Sequence, residues 1–336
     1  MSIIFLLIGI LSIGLKFTGV QSVGVCYGMN GNNLPSRQDV VNLYNSNGIN
    51  QMRIYDPDTQ ALDALRGSNI ELILDVARET LPSLANGNDA TNWVNQYVTP
   101  YAQDVKIKYI TVGNEIHPGD NEAQYILPGL QNIQNAISLA NLQGQIKVSI
   151  AIDMSLIANS YPPNDGVFSA QASPYIQPII DFLGNNGATL LANVYPYFAY
   201  TGDTQCSIPL DYALFRQQGN NDVGYQNLFD AQLDSVYAAL EKAGAPNVKI
   251  VVSESGWPSA GGDQCGGSTI DNAATYYANL INHVKSGNGT PKRPGSVIET
   301  YLFAMFDENL KGGAATEQHF GVFNPDQSPK YQLNFN

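Results

Sequence analysis

The chain has 336 residues, of which 44% are hydrophobic and 13% charged, and its formal net charge is −13. That length and apolar content supply a core and exclude a disordered chain. The acidic balance, with no basic patch, excludes nucleic acid and anionic membrane surfaces as partners and leaves neutral polymers open.

Residues Ile3–Leu15 are almost all apolar and are followed by Lys16 and the small-residue stretch Thr18–Ser22. The run is too short to span a bilayer and reads as a signal peptide over residues 1–20, although no Lys or Arg precedes it. A single catalytic domain is expected over residues 21–336, as a soluble, secreted monomer. Beyond the signal, Val23–Met29 reads as a strand. A helix follows Pro35-Ser36, with Ser36 and Asp39 at capping-box spacing. Strands are predicted at Gln51–Tyr55, Ile70–Val76, Ile107–Gly113, Ile146–Ile152, Thr189–Val194, Val248–Val252 and Ile298–Phe306. Helical periodicity separates them at Thr59–Leu65, around Trp93–Val105, and at Glu122–Asn141, Tyr175–Leu183, Leu228–Ala243 and Asn272–Val284. Irregular segments cover Tyr195–Tyr225 and Gly256–Ser268, and the tail from Gly312 holds no long amphipathic helix.

Eight strand-like runs alternating with helices predict a parallel sheet closed as an α/β (β/α)8 TIM barrel. A doubly wound sheet competes, but no Gly-rich phosphate loop follows any strand. The longest loops follow the fifth, sixth and seventh strands, on the face where barrel active sites lie.

Two apolar runs end in a carboxylate: IKYITVGNE at Glu115 and VKIVVSE at Glu254. A carboxylate at the end of a buried strand is costly unless solvated, paired or used. Each alone is as readily a rim residue that pairs with an Arg. Together, on matching strand ends, they form the carboxylate pair of a glycosidase, one acid and one nucleophile or base. Asn114 is placed to donate to a sugar hydroxyl. Asp307-Glu308-Asn309 and Lys311 end the eighth strand, and a Glu308–Lys311 ion pair there would lower the pKa of a neighbouring carboxylate. Aromatics also gather at strand ends, among them Tyr27, Tyr55, Tyr195, Tyr197, Phe198, Trp257 and Phe306. Taken singly each is more readily core, but so many after strands suggests a groove for sugar faces. Cys26 lies in an apolar strand and reads as a buried thiol, while Cys206 and Cys265 lie in loops, where a pairing stays open. The three histidines are scattered and no CxxC occurs, so neither a metal nor a cofactor is expected. The one glycosylation sequon is Asn288-Gly289-Thr290, with Pro291 directly after it.

These residues carry a resemblance. The motifs GVCYG (Gly24–Gly28), RIYDP (Arg53–Pro57), ITVGNE (Ile110–Glu115), NVYPYF (Asn193–Phe198), VSESGWPS (Val252–Ser259) and AMFDENLK (Ala304–Lys311) resemble, in order and over nearly the whole chain, the plant β-1,3-glucanases of glycoside hydrolase family 17. The likeness implies retaining endo-hydrolysis of β-1,3-glucan such as callose, laminarin or fungal wall glucan. It makes Glu115 the acid/base and Glu254 the nucleophile, with Tyr55, Phe198, Glu308 and Lys311 along the substrate cleft. It also implies a mature chain beginning at Gln21 as pyroglutamate and an extracellular location. The chain departs from the family pattern at DVARET (Asp75–Thr80), and in carrying Cys206 and Cys265. The rival expectations are a mixed-linkage β-1,3-1,4-glucanase and a non-catalytic β-glucan-binding protein.

Overall fold

The computed structural model describes residues 23–336. The expected signal segment and Gln21 lie outside the described residues. Eight strands are β1 (Gly24–Cys26), β2 (Gln51–Ile54), β3 (Glu71–Asp75), β4 (Lys106–Asn114), β5 (Lys147–Ile152), β6 (Leu190–Asn193), β7 (Ile250–Ser255) and β8 (Thr300–Leu302). Each pairs in parallel with its neighbours in sequence, and β8 returns to β1 to close the barrel. Parallel neighbours need a crossover, and helices supply most of them: α1 (Arg37–Ser46), α2 (Thr59–Ala64), α3 (Gly87–Tyr97), α4 (Ala123–Leu139), α5 (Ser173–Asn185), α6 (Leu228–Lys242) and α7 (Ile270–Lys285). The fold is the (β/α)8 barrel. Its strands are buried almost throughout, polar residues included, because the helices cover their outer face and the barrel core covers the inner one.

Local chemistry sets where the helices begin. Ser36 Oγ accepts the Asp39 N–H at 3.2 Å, Asp58 that of Ala61 at 2.7 Å and Asn227 that of Asp230 at 2.7 Å. The helix expected around Trp93–Val105 lies earlier, at α3, because Asn86 caps it through the Asn88 N–H at 2.9 Å. Pro100 denies Thr99 a helical conformation, and residues 98–105 are mostly turn. The strand expected over Ile298–Phe306 shortens to β8. The tail contributes Phe320, Val322, Phe323, Tyr331 and Phe335 to the same core as the barrel.

The long loops stand at the carboxyl ends of the strands. After β5 comes a small antiparallel pair, Ile157–Ala158 with Val167–Phe168. After β6 come two short helices, Pro196–Gly202 and Leu210–Ala213. Cys206 and Cys265 form a disulfide that ties the β6 loop to the β7 loop. Cys26 is a free, buried thiol. Asn288 of the sequon is exposed, whereas Thr290 is buried and donates to Asp234 at 2.5 Å. No helix among the described residues is long and apolar enough to cross a membrane.

Candidate active site

Backbone irregularity delivers the two carboxylates to the barrel mouth. Glu115 follows β4 in the left-handed region, φ 52°, with its N–H held by the Ala151 carbonyl at 2.9 Å. A side chain in that region is strained and persists where the surroundings fix it, often at functional sites. The β4–β5 register shifts between Thr111 and Asn114, just before it. Gly113 (φ 94°) is needed there, since a Cβ would sit 2.6 Å from Ile126. Glu254 lies within β7, two residues beyond the expected strand end at Val252, and pairs with Asn193 of β6 across a second register shift. Both irregularities re-aim side chains at the strand ends.

Arg53 is the hub between them. It is fully buried, at 0% exposure, so its charge has to be matched by fixed partners. Its guanidinium donates to both oxygens of Asp75 at 3.2 and 2.6 Å, and to Glu254 Oε1 at 2.9 Å. It also donates to Asn114 Oδ1 at 3.0 Å, to Asn193 Oδ1 at 3.3 Å and to the Ser253 carbonyl at 3.3 Å. Glu254 takes two further donors, the Tyr55 hydroxyl at 2.8 Å on Oε1 and the Tyr195 hydroxyl at 2.6 Å on Oε2. Glu115 takes the Asn193 amide at 2.8 Å, and the same amide reaches Asn114 Oδ1 at 3.0 Å. Ser253 Oγ donates to Asn193 Oδ1 at 2.8 Å and fixes which way that amide points.

Burial and neighbouring charge tune Glu115. The Glu115 carboxyl is pushed up from 4.5 to about 7, first by burial and then by the negative charge of Glu254, while the Asn193 amide pulls it down. Burial holds the Tyr55 and Tyr195 phenols well above their ordinary range, with the charge of Glu254 adding to it. Both therefore stay protonated and remain donors. Burial also raises Asp75, and its Arg53 partner pulls the other way.

A cavity of about 400 Å³ opens over these groups, with Tyr27, Tyr55, Asn114, Glu115, Glu254, Phe303, Glu308 and Lys311 in its wall. The expected Glu308–Lys311 ion pair does not form. Lys311 Nζ pairs with Glu317 at 3.1 Å and lies 4.3 Å above the Phe303 ring. Glu308, 4% exposed, accepts the Asn30 N–H at 2.9 Å, and burial raises its pKa. Gly28 makes room for it, since a Cβ there would sit 2.3 Å from Glu308 Oε1. Trp257, expected in the groove, is fully buried among Tyr197, Tyr200 and Tyr276, and its indole N–H donates to the Gly267 carbonyl at 2.9 Å. Its place is under the β7 loop, not in the cleft wall. Tyr197 and Phe306 are likewise buried. Tyr195 presents its hydroxyl to Glu254 from a buried ring, and Phe198 beside it is 44% exposed.

Sequence reading passed over Arg53, Asp75, Asn193 and Ser253 as site residues. The signal was present: each is a polar residue in or at the end of an otherwise apolar strand, as Asn114 is. A buried Arg in QMRIY obliges carboxylates to be near it. Phe303 and Glu317 carried no such signal, because their place depends on the backbone after β8.

A (β/α)8 barrel with two glutamates at its mouth, one with its pKa raised by burial and its neighbour's charge and one held by three donors, is a glycoside-hydrolase scaffold. Among the described residues, no group of three or more His, Cys, Asp or Glu side chains is placed to hold a metal. Residues 23–335 match the glycosyl hydrolases family 17, and the chain belongs to that family. It is 58% identical over 332 residues to an acidic glucan endo-1,3-beta-glucosidase of Nicotiana tabacum, covering 98% of this chain and 96% of that one. A beta-1,3-glucanase and pollen allergen of Cryptomeria japonica has a TM-score of 0.90 at 48% identity, over 94% of this chain and 99% of that one. One of two plant beta-glucan endohydrolases with distinct substrate specificities has a TM-score of 0.87 at 39% identity, over 93% and 100%.

Proposed function

We propose that this glycoside hydrolase is a secreted, monomeric, retaining endo-β-1,3-glucanase. The observation that carries the mechanism is the asymmetry of the two carboxyls: Glu115 is raised to about 7, while Glu254 faces Arg53, Tyr55 and Tyr195. In the first step Glu254 attacks the anomeric carbon, the glycosidic C–O bond breaks, and Glu115 gives its proton to the departing oxygen. In the second step Glu115 takes a proton from water, the hydroxide attacks the same carbon, and the Glu254 ester bond breaks. Two inversions leave the anomeric configuration retained. The linkage assignment is supported by the names and identities of the Nicotiana and Cryptomeria relatives.

The test is reducing-sugar release from laminarin and from barley mixed-linkage glucan, with wild type and Glu254→Gln side by side and the first-formed anomer followed by NMR. Cleavage of laminarin with β-anomer product, lost in Glu254→Gln, is expected. The matched plant endohydrolase belongs to a pair with distinct substrate specificities, so cleavage of mixed-linkage glucan alone would move the assignment to that polymer. Laminarin binding without cleavage would make the chain a β-glucan-binding protein.

A further inference from the structure

We propose that two adjacent phenols of α7, Tyr276 and Tyr277, act from behind the barrel wall as positioning residues for the nucleophile, by fixing the backbone that carries its hydrogen-bond donors. The proposal rests on the reading of Glu254 as nucleophile given above. Both side chains are buried, and burial holds both phenols well above their ordinary range, so each keeps its proton. A phenylalanine would fill either place with no polar atom to satisfy, so what distinguishes these residues is what their hydroxyls hold.

The bonds converge on Glu254 by two routes. Val194 and Phe303 each follow the last residue of a strand, β6 and β8. Their N–H groups still reach β7, at the Glu254 carbonyl (2.9 Å) and the Ser255 carbonyl (2.8 Å). Their carbonyls are taken by hydroxyls instead. Ser255 Oγ donates to the Val194 carbonyl at 2.6 Å, which uses its one proton, so the Tyr276 hydroxyl 2.6 Å away is the donor to Ser255. Tyr277 donates to the Phe303 carbonyl at 2.6 Å, shares that proton with the Phe320 carbonyl at 2.9 Å, and accepts the Trp257 N–H at 3.3 Å. Gly256 leaves the room, since a Cβ there would sit 2.3 Å from the Phe303 oxygen. What these carbonyls position is the donor set of Glu254. Tyr195, next to Val194, donates to Oε2. The Phe303 ring stands edge-on to both Tyr195 and Tyr55, 6.3 Å from each, and Tyr55 donates to Oε1. The first route sets one donor through the β6–β7 register, and the second sets both through a wedge between their rings. A misplacement of about 1 Å at a reacting group can cost about 10²-fold in rate, so slack in either route falls on the chemical step.

The test compares wild type with Tyr276→Phe, Tyr277→Phe and Ser255→Ala, each checked for folding by circular dichroism, with rates taken per folded enzyme. Ser255→Ala breaks the Tyr276 bond from the other side, so the first route stays testable if Tyr276→Phe fails to fold. A 2-deoxy-2-fluoro laminaribiosyl fluoride reads the nucleophile alone. The Glu254 carboxylate forms an ester bond to the anomeric carbon, fluoride leaves without a proton from Glu115, and mass spectrometry counts the ester that accumulates on Glu254. Each variant is expected to form the ester about 3- to 30-fold more slowly and to lower kcat/KM on laminarin by a similar factor. Laminarin Kd, measured with each change added to Glu254→Gln, should stay within about twofold of Glu254→Gln alone. Tyr276→Phe should add less than about twofold in a Tyr195→Phe background, because it acts through that phenol. Merely structural bonds would lower the urea midpoint and leave ester formation at the wild-type rate. That result, a loss carried by Kd instead of the ester rate, or effects that multiply with Tyr195→Phe, overturns the proposal. Wild type that gains no ester on Glu254 overturns the nucleophile reading, and this proposal with it.

Discussion

Replacing Glu115 by Gln should stabilise the protein at neutral and alkaline pH while removing its activity. The carboxyl lies at about 7 in the folded chain against an ordinary 4.5. A raised pKa means that the folded state binds the proton more tightly than the unfolded one. The stability from this group is therefore fully present below 4.5 and is lost as pH rises to about 7. The difference makes ionised Glu115 cost the fold about 3 kcal/mol at pH 8. Glutamine keeps the size and the acceptor for the Asn193 amide, and it occupies the same left-handed backbone position, so the strain at φ 52° cancels in the comparison. What remains is the charge, desolvated and next to Glu254. Urea unfolding of both proteins at pH 4.5 and pH 8 measures it. Glu115→Gln is expected to be about 2–3 kcal/mol more stable at pH 8 and about equal near pH 4.5. A variant no more stable than wild type at pH 8, or a gap that does not change with pH, refutes the reasoning that burial and Glu254 tune this acid.

Further outcomes follow from the same geometry. The alkaline limb of kcat/KM should lie near 7, because free Glu115 must be protonated to act as the acid; a pH–rate profile with that limb below about 5 contradicts the assignment. Arg53→Met leaves Asp75 and Glu254 buried without their cation, and thermal or chemical unfolding should show a loss of about 3–5 kcal/mol. Trp257→Ala removes a fully buried ring; it should cost about 3–5 kcal/mol of stability while KM for laminarin in the folded fraction stays within about twofold. A large rise in KM would return Trp257 to the cleft wall.

The two catalytic candidates were legible because the chemistry demands an unusual pattern, an apolar strand that ends in a carboxylate. Their supports were less so. Arg53, Asp75 and Asn193 sit on β2, β3 and β6, and nothing local says that their side chains meet around one guanidinium. Lys311 illustrates the same limit. Glu308 is three residues away and looked like its partner, yet the chain after β8 turns Glu308 toward the Asn30 N–H and leaves Lys311 to Glu317. Trp257 follows a strand as Tyr55 does, but its ring is drawn under the loop by Tyr197, Tyr200 and Tyr276.

The sequence alone determined the alternation of strand and helix, the count that closes a barrel, and the two glutamates at its mouth. These rest on periodicity and on the cost of burying charge, which act over a few residues. Only the tertiary structure decided which donors face which carboxyl, that Arg53 and two phenols face Glu254 while Glu115 has the Asn193 amide, and that Cys206 finds Cys265. Those outcomes depend on register shifts of single residues and on loops from different strands meeting in space, where small displacements decide a hydrogen bond.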